Sequence, residues 1–389
     1  MIRRGRIGTS PAAADASLPD DDDMLREILL RLPPQPSSLP RAAAVCKRWL
    51  GLVTDPTFHR QFCAHHGKPP LLGFFVRGHE GLVFTPVLDA PNCIPPQRFS
   101  LRCCSGSWEY TVLNIRHGLV LVHDCLRKEV VVCNPITSEQ RCIAIPPELI
   151  RRAVLKGAVF CAASDLGHVH GGCHASPFNV VLVSTARNDS RYLARVYSSQ
   201  TGIWGDLILK EASSEFFEKH AVLVGNCLYW LSTGDDILEF DLDEHSLSVI
   251  KAPPVYIGSG DRLIVRAEDG SVGFAALSYP RIHMLRRNVN CHGVATWLLW
   301  KTIEMHSIPG LPPPVEGKIA CLLGYDEDID VIFLHTSGNV YGIQLQLMES
   351  KKLYQSRYIS TYCQPFKSFY TPGTTTVDEF NGAEMLHDA

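Results

Sequence analysis

A strand–turn–strand pattern that recurs along the chain constrains the fold more than any other feature of this sequence. Val130–Pro147 (VVVCNPITSEQRCIAIPP) aligns without gaps on Ile237–Pro254 (ILEFDLDEHSLSVIKAPP). Cys133 falls on Phe240 and both proline pairs coincide, at an offset of 107 residues. This offset is about twice the ~50-residue period of a four-stranded propeller blade. The sequence therefore predicts a repeated β-sheet unit.

Further segments support this repeat. Ala194–Gly205 has the same shape, Asn339–Tyr354 is a looser copy, and Cys227–Pro254 has the turn signals of an antiparallel meander. A single four-stranded blade cannot bury both of its faces, so such blades stack on one another around a ring. The chain from about Pro70 to Tyr370 predicts about six blades. A pair of β-sandwiches with coincidental echoes is the alternative.

The segment before the strands has a helical pattern. Asp20–Asp23 suit a helix N-terminus and precede an amphipathic stretch that Pro33–Pro34 ends. Ser37 or Ser38 caps a predicted second helix, and Asp55–Pro56 begins a third. A unit of ~45 residues is near the lower limit for independent folding, and a partner often completes its burial. A bundle that packs only on the rest of the chain is the alternative.

Composition excludes several classes of protein. The chain has 389 residues, of which 46% are hydrophobic and 20% charged, and a net charge of −3. This balance argues against a general nucleic-acid binder. No apolar run approaches the ~18 residues of a membrane span. The N-terminal residues 1–17 carry three arginines without an apolar core, so they predict a disordered tail rather than a secretory signal. We therefore expect neither nucleic acid nor membrane as a partner.

The 14 cysteines are scattered and include no CxxC pair. Cys133, Cys161, Cys227 and Cys321 lie inside apolar runs, where a reduced cysteine behaves as a small buried hydrophobic residue. Reduced thiols are typical of the cytoplasm and nucleus. We therefore expect a cytoplasmic and/or nuclear protein.

The helical segment from Met24 to Phe58, with Leu18–Pro19 before it, resembles the F-box. This resemblance implies a three-helix unit that binds the Skp-type adaptor of a ubiquitin ligase and, through it, a cullin and a RING subunit. Four aspartates stand where about two residues are usual. If the extra aspartates form a loop insertion, they would displace Leu18–Pro19 and weaken adaptor binding. If they extend the helix, they would change adaptor binding little. The residues that the resemblance assigns to adaptor binding are Leu18, Pro19, Leu25, Ile28, Leu29, Leu32, Pro33, Leu39, Val45, Cys46, Trp49 and Phe58.

The rest of the chain also carries a resemblance, in segments such as HHGKPPLLGFF, RHGLVLV, VYSSQTGIWG and SFYTPG. These segments resemble plant F-box proteins with an F-box-associated, kelch-like β-propeller, in the subgroup expanded in grasses. The expected fold class is multidomain α plus all-β. We expect disordered tails at residues 1–16 and 372–389, an F-box at 17–64 and a propeller at 65–371, and we expect the propeller to fold without the F-box.

One dense group of possible metal ligands lies in DLGHVHGGCHASPF, namely His168, His170, Cys173 and His174. Their spacing matches no familiar zinc module, so we interpret the segment as a structural loop and expect no metal and no cofactor. The sequence has no GxSxG, HExxH, P-loop or GxGxxG motif, which argues against an enzyme. Five tryptophans are interpreted as core between blades: Trp108, Trp204, Trp230, Trp297 and Trp300.

The resulting hypothesis is a non-catalytic substrate-recognition subunit of an SCF-type ubiquitin ligase. The F-box would bind the Skp-type adaptor, and the propeller would bind a substrate protein at a site that the sequence does not reveal. Two alternatives remain open. One is a propeller interaction module without a role in degradation, and the other is a propeller that binds a metal or a small molecule.

Overall fold

The computed structural model places a small helical unit beside a closed ring of β-sheets. In the described part of the chain, four helices come first, and six antiparallel sheets follow as the blades of a β-propeller. The predicted fold class and the count of about six blades are therefore confirmed. The structure describes residues 22–78, 81–99, 110–150, 154–163, 168–173, 176–186, 189–211, 219–232, 236–254, 261–313, 320–356 and 363–370.

The helical unit, called the hook below, spans residues 22–66. Asp22 and Asp23 lie in the first turn of the first helix, where carboxylates face the positive end of the helix dipole. Asp55 caps the last helix, as predicted, by accepting a hydrogen bond from the Thr57 N–H at 3.0 Å. The four helices are α1 (Asp22–Leu30), α2 (Ser38–Ala43), α3 (Lys47–Val53) and α4 (Pro56–His66).

The predicted second helix of the hook is divided into α2 and α3. The division falls at Cys46, whose backbone is extended with φ −165° and ψ 168°. Ser37 precedes α2 but makes no capping hydrogen bond with its side chain. Its hydroxyl instead donates to Asn92 Oδ1 at 2.7 Å, so this side chain joins the hook to the ring.

Blades 2 to 4 are antiparallel meanders in which sequential strands pair with each other. In blade 3, β10 and β11 both pair with β9 and together form the outer edge. The strands of these blades are β3 (Tyr110–Arg116), β4 (Leu119–Asp124), β5 (Glu129–Asn134) and β6 (Glu139–Ala144); β7 (Val154–Cys161), β8 (Phe178–Ala186), β9 (Asp189–Ser198), β10 (Ile203–Trp204) and β11 (Ile208–Glu211); and β12 (Val222–Val224), β13 (Cys227–Leu231), β14 (Asp236–Asp241) and β15 (Ser246–Lys251).

Blades 5 and 6 repeat the four-stranded meander. A short helix, α5 (Pro147–Ile150), follows blade 2. The strands are β16 (Arg262–Arg266), β17 (Val272–Ser278), β18 (Arg281–Val289) and β19 (Ala295–Glu304) in blade 5, and β20 (Ala320–Asp326), β21 (Val331–Thr336), β22 (Asn339–Gln344) and β23 (Glu349–Gln355) in blade 6.

Blade 1 closes the ring with strands from both ends of the propeller. Its order is β2 (Gly81–Pro86), β1 (Leu71–Gly78) and β24 (Cys363–Lys367), so the last strand of the chain pairs with the first. Phe74 of β1 packs edge-on against Phe333 of blade 6, with 4.9 Å between the ring centroids. Pairing of the last strand with the first joins the two ends of the propeller in one blade.

The recurring sequence segments occupy equivalent places, because each forms the third and fourth strands of its blade. Asn134 and Asp241, which align in the sequence, each accept hydrogen bonds from backbone N–H groups two and three residues later. In each of the four segments, the turn between the third and fourth strands ends on a residue with positive φ. Hairpins that combine a type I turn with a left-handed residue have this geometry. Those residues are Ser138, Gly202, His245 and Met348.

Two tryptophans tie neighbouring blades together, as predicted. Trp204 Nε1 donates to the carbonyl oxygen of Ala144 at 2.9 Å, and Trp297 Nε1 donates to that of Lys251 at 2.8 Å. Ala144 and Lys251 end the outer strands of blades 2 and 4. Trp230 is fully buried, Trp300 is partly buried, and Trp108 lies outside the described residues.

We expect Trp204→Phe and Trp297→Phe each to lower the free energy of unfolding by about 1 kcal/mol, because each loses one hydrogen bond to a backbone carbonyl. The double variant should lose the sum, since the two sites lie in separate blades. Urea unfolding measures both effects. Ile203→Ala, at an exposed neighbour of Trp204, is the control and should change little. Unchanged stability in both tryptophan variants would contradict the proposed link between blades.

The hook and the ring share a core. Phe369, which follows β24, and Val169 of the β7–β8 connection pack among the buried residues of the hook. The Phe369 ring lies edge-on to Phe62 with 6.3 Å between centroids. The propeller thus contributes part of the core of the hook, and the expectation that the propeller folds without the hook stays a prediction. Helix α4 runs to His66, and the tails predicted at residues 1–16 and 372–389 lie outside the described residues.

Within the described ranges, no helix combines the length and the apolar character that crossing a membrane requires.

Candidate functional site

The outer surface of the hook exposes four large apolar side chains. Met24 and Ile28 lie one turn apart on α1 and are 56% and 43% exposed. Val45, between α2 and α3, is 53% exposed, and Leu50 of α3 is 44% exposed. These side chains, called the outer apolar residues below, would bury further area only against a partner.

Four of the residues assigned to adaptor binding lie instead inside the hook. Leu25, Leu29, Leu39 and Phe58 are each at most 2% exposed and form its core. Side chains buried in this way lie beneath the surface that a partner would touch, so their assignment to adaptor binding stays a prediction. Helix α1 is apolar on more than one side, so the sequence pattern did not separate its inward from its outward residues.

The other assigned residues lie at or near the surface. Ile28 and Val45 are exposed, Pro33 and Cys46 are also exposed, and Leu32 and Trp49 are partly buried against the hook core. Leu18 and Pro19 lie outside the described residues. Met24 and Leu50 are not among the residues that the sequence assigns to adaptor binding. The spacing of Met24 from Ile28, one turn of helix, was the available signal for the first.

Two ion pairs hold the helices of the hook in place. Arg26 Nη1 lies 3.1 Å from Asp55 Oδ2, and Arg48 Nε lies 2.7 Å from Asp22 Oδ1. The N–H of Thr57 and then the guanidinium of Arg26 lower the pKa of Asp55. These pairs connect α1 with α3 and with the start of α4, whereas the buried core of the hook supplies most of the packing between the helices.

The histidine loop is residues 168–173 of the β7–β8 connection. Its possible metal ligands lie close to Cys161, a residue that the sequence did not place in this group. Cys161, the last residue of β7, lies with its Sγ 3.3 Å from His168 Nε2. The same nitrogen lies 3.3 Å from Cys173 Sγ, which lies 3.7 Å from His170 Nδ1. His174, the remaining residue of the predicted group, lies outside the described residues.

The two thiols of this cluster interact directly. A hydrogen bond from Cys173 lowers the pKa of Cys161 to about 4, and the same bond together with burial raises the pKa of Cys173. The pair therefore favours one shared negative charge. From the sequence, Cys161 was interpreted as a small buried hydrophobic residue. Its position directly before the histidine-rich connection was the available sign that it belongs to this cluster.

His117 covers one side of the histidine loop. Its ring stacks on that of His170 with 3.6 Å between centroids, and its Nδ1 accepts a hydrogen bond from the Cys161 N–H at 3.0 Å. Burial, followed by the charge of His170, lowers the pKa of His117 well below its ordinary value. His117 and Gly118 both have positive φ, which is the geometry of a tight two-residue hairpin turn.

A cavity lined by strands of several blades, called the central channel below, contains a group of charged side chains. Arg116 Nη2 lies 2.6 Å from Glu327 Oε1, and Lys367 Nζ lies 2.5 Å from Asp326 Oδ1 and also contacts Asp328. Burial alone would lower the pKa of Lys367, but the carboxylates of Asp326 and Asp328 raise it. These pairs join β3, β24 and the β20–β21 turn, and so fasten blades 2, 1 and 6 around the channel.

Comparisons with known families cover both regions of the chain. The model of the family described as "F-box protein AT5G49610-like, beta-propeller" matches residues 111–372, and the F-box-like model matches residues 16–65. The first match covers more than half of the chain.

Two curated relatives come from Arabidopsis thaliana. F-box protein At5g07610 is 25% identical over 263 residues, which are 64% of this chain and 60% of that protein. F-box/kelch-repeat protein At3g61590 is 25% identical over 249 residues, 61% of this chain and 57% of that protein. The chain thus spans about 60% of the length of these relatives. Among solved structures, the extracellular domain of BT4673 from B. thetaiotaomicron matches with a TM-score of 0.35 and 12% sequence identity. The match covers 64% of this chain and 29% of that chain. This likeness is too weak to bear on the fold.

Proposed function

Because this chain belongs to the AT5G49610-like family of F-box proteins with a β-propeller, we propose that it is a substrate-recognition subunit of an SCF-type ubiquitin ligase. In this proposal the hook binds a Skp-type adaptor, through which a cullin and a RING subunit are recruited. The propeller binds the substrate protein. Proteins with this pair of domains are typically non-catalytic, and we propose the same here. The chain would act by proximity, raising the local concentration of substrate near the charged conjugating enzyme.

The observation that carries this proposal is that the hook has both a buried apolar core and exposed apolar side chains. Its core is completed from inside the molecule by Phe369 and Val169, whereas Met24, Ile28, Val45 and Leu50 remain exposed. Stabilisation of the propeller does not require these exposed apolar side chains, so they support a role in binding a partner. Docking of a partner helix or groove against the outer apolar residues would bury them.

The contacts of the segment that directly follows the hook indicate where a substrate has room to bind. Lys68 Nζ donates to the carbonyl of Asp328 at 3.1 Å, and Pro69 packs against Gly171. Both contacts fall on connections between the first and second strands of a blade. In an antiparallel meander the connections between the second and third strands lie at the opposite end. We therefore propose that the substrate binds there, at turns such as 125–128 in blade 2 and 337–338 in blade 6.

The chemistry of the cysteines supports the proposed cytoplasmic and/or nuclear location. Among the described cysteines, the buried Cys63, Cys161 and Cys173 are free thiols. Free thiols persist in a reducing compartment.

The adaptor interaction is tested with Ile28→Ala/Val45→Ala. Both side chains are exposed, so the variant should fold, and loss of interface anchors worth about 2 kcal/mol should weaken adaptor binding roughly thirtyfold. Binding of the full-length chain to a purified Skp-type adaptor is measured by calorimetry. The matched control is Leu126→Ala/Leu347→Ala, which removes two exposed apolar side chains from propeller turns and should bind as the unmodified chain does.

The degradation role is tested in cells with the same variant. It should still hold the substrate but not deliver it, so bound partners should accumulate as they do with the unmodified chain under a proteasome inhibitor. Normal adaptor binding without any partner stabilised in this way would favour the alternative of an interaction module. Unchanged adaptor binding by the variant would contradict the assigned surface.

A further inference from the structure

The strongest feature that the proposed function does not use is the cluster of Cys161, His168, His170 and Cys173. The four ligand atoms lie within 4.8 Å of one another. Cys161 and Cys173 are buried, His168 is half-buried, and His170 is exposed. We propose that these four residues bind one Zn²⁺ ion, and that this ion fixes the loop on which the hook rests. The inference is independent of the proposed role in ubiquitination, and it departs from the sequence-based expectation of a metal-free loop.

The distances within the cluster fit a tetrahedral zinc site. Zinc bonds to sulfur at about 2.3 Å and to imidazole nitrogen at about 2.0–2.1 Å, so a tetrahedron places sulfur and nitrogen ligands about 3.6 Å apart. The three sulfur–nitrogen distances are 3.3 Å from His168 Nε2 to Cys161, 3.3 Å from the same atom to Cys173, and 3.7 Å from Cys173 to His170 Nδ1. These three distances are therefore close to those that a tetrahedral zinc site requires.

The identity of the ligands selects the metal. Two thiolates and two imidazoles in tetrahedral geometry are the set that zinc takes in closed structural sites. Mg²⁺ and Ca²⁺ prefer oxygen ligands, which this set lacks. Two cysteine thiolates also neutralise the two positive charges of the ion, so a largely buried site would hold no net charge.

Groups around the ligands support the same assignment. The N–H of Ala163 points at Cys161 Sγ, with 3.4 Å between nitrogen and sulfur. Outer hydrogen bonds of this kind orient metal ligands and hold the thiolate form. The stacked ring of His117 fixes the plane of His170, and its hydrogen bond with the Cys161 backbone holds the end of β7.

The position of the loop indicates what the ion would do. The carbonyl of Gly171 accepts hydrogen bonds from the Phe369 N–H at 3.0 Å and from Ser368 Oγ at 2.8 Å. A Cβ on Gly172 would lie 3.0 Å from Cys63 Sγ, so α4 packs directly on the loop backbone. Zinc ligands on both sides of this glycine pair would hold it rigid. The ion would therefore set the orientation of the hook relative to the propeller.

The test begins with the unmodified full-length chain, purified under reducing conditions without chelator. We expect one zinc per chain by elemental analysis. After replacement of the metal by Co²⁺, we expect the visible absorption of tetrahedral cobalt and a thiolate-to-metal charge-transfer band. Zinc removal should also increase amide hydrogen exchange in α4. A chain that carries no zinc and gives neither cobalt signal would overturn the proposal, whatever the variants do.

The ligands are then assigned with Cys161→Ser/His168→Ala. Because loss of even an outer hydrogen-bond partner costs 10- to 100-fold in metal affinity, loss of two ligands should weaken zinc binding by roughly a hundredfold or more. The matched control is Cys291→Ser/His292→Ala, an exposed cysteine and histidine of blade 5, which should keep one zinc. Equal zinc binding by both variants would overturn the assignment. So would an intact mass showing a Cys161–Cys173 disulfide in the reduced preparation in place of bound zinc.

Discussion

Replacing Arg116 with methionine is expected to lower the free energy of unfolding by about 3–5 kcal/mol, because it breaks a buried ion pair and leaves one charge without its partner. The Arg116 side chain is 5% exposed and that of Glu327 is 15% exposed, with 2.6 Å between Nη2 and Oε1. The pair joins β3 of blade 2 to the turn after β20 of blade 6, and both residues line the central channel. Urea unfolding of the full-length chain measures the loss.

The matched controls distinguish the effect of an unpaired buried charge from the effect of lost packing. Arg116→Met/Glu327→Gln removes both charges and should recover much of the lost stability. Arg31→Met removes the partner of Glu27 in a pair whose side chains are 66% and 61% exposed, and it should cost under about 1 kcal/mol. If the double variant were as unstable as the single one, the loss would come from packing and not from an unpaired charge.

The Arg116→Met variant should also depend on pH. Burial raises the pKa of Glu327, and the charge of Arg116 partly offsets this rise. Without Arg116 the pKa in the folded state rises further, so the folded chain holds a proton that the unfolded chain has released. Stability then increases as the pH falls through this raised pKa. The deficit relative to the unmodified chain should therefore be largest at neutral pH and should shrink as the pH approaches 4.5, the ordinary glutamate value.

Phe369→Ala is the second change with a large expected effect, about 3–5 kcal/mol, because it removes a buried aromatic ring from a packed core. Phe369 is 1% exposed and lies among Leu29, Phe58 and Phe62 of the hook, although it follows the last strand of the propeller. The variant should loosen the hook from the ring. Calorimetry should show a lower melting temperature, and amide exchange in α4 should increase.

A matched comparison is Phe366→Ala, three residues earlier in β24. Phe366 is equally buried but packs within blade 1, against Phe75 and Phe99. Its loss should destabilise the ring without a selective increase of exchange in α4. The same exchange pattern in both variants would contradict the specific role of Phe369 in holding the hook.

Much of the local structure was predictable because it depends on neighbouring residues. Asn134 and Asp241 sit at equivalent places in the repeat, and each closes its turn with hydrogen bonds to the next few N–H groups. Asp55 followed by Pro56 marks the start of α4 for the same reason. Trp204 at the outer strand of blade 3 was correctly interpreted as a contact between blades.

The outward surface of the hook was less predictable. Helix α1 carries apolar residues on more than one side, and periodicity alone does not say which side is covered. The packing of α1 on Phe62 and Phe369 buries Leu25 and Leu29 and leaves Met24 and Ile28 outside. The covering residue Phe369 comes from the far end of the chain, so no local window contains that information.

By itself, the sequence determined the repeated blade, the helical segment before it and the chemistry of the turns, because each follows from side chains a few residues apart. Only the tertiary structure decided how the ring closes through β24 and β1, which hook residues face outward, and that Cys161 joins His168, His170 and Cys173. Cys161 stands apart from the loop in sequence, at the end of β7. Its strand pairs with β8, which brings the intervening connection back over it. Such meetings depend on packing between segments distant in the chain, and spacing within one segment does not encode them.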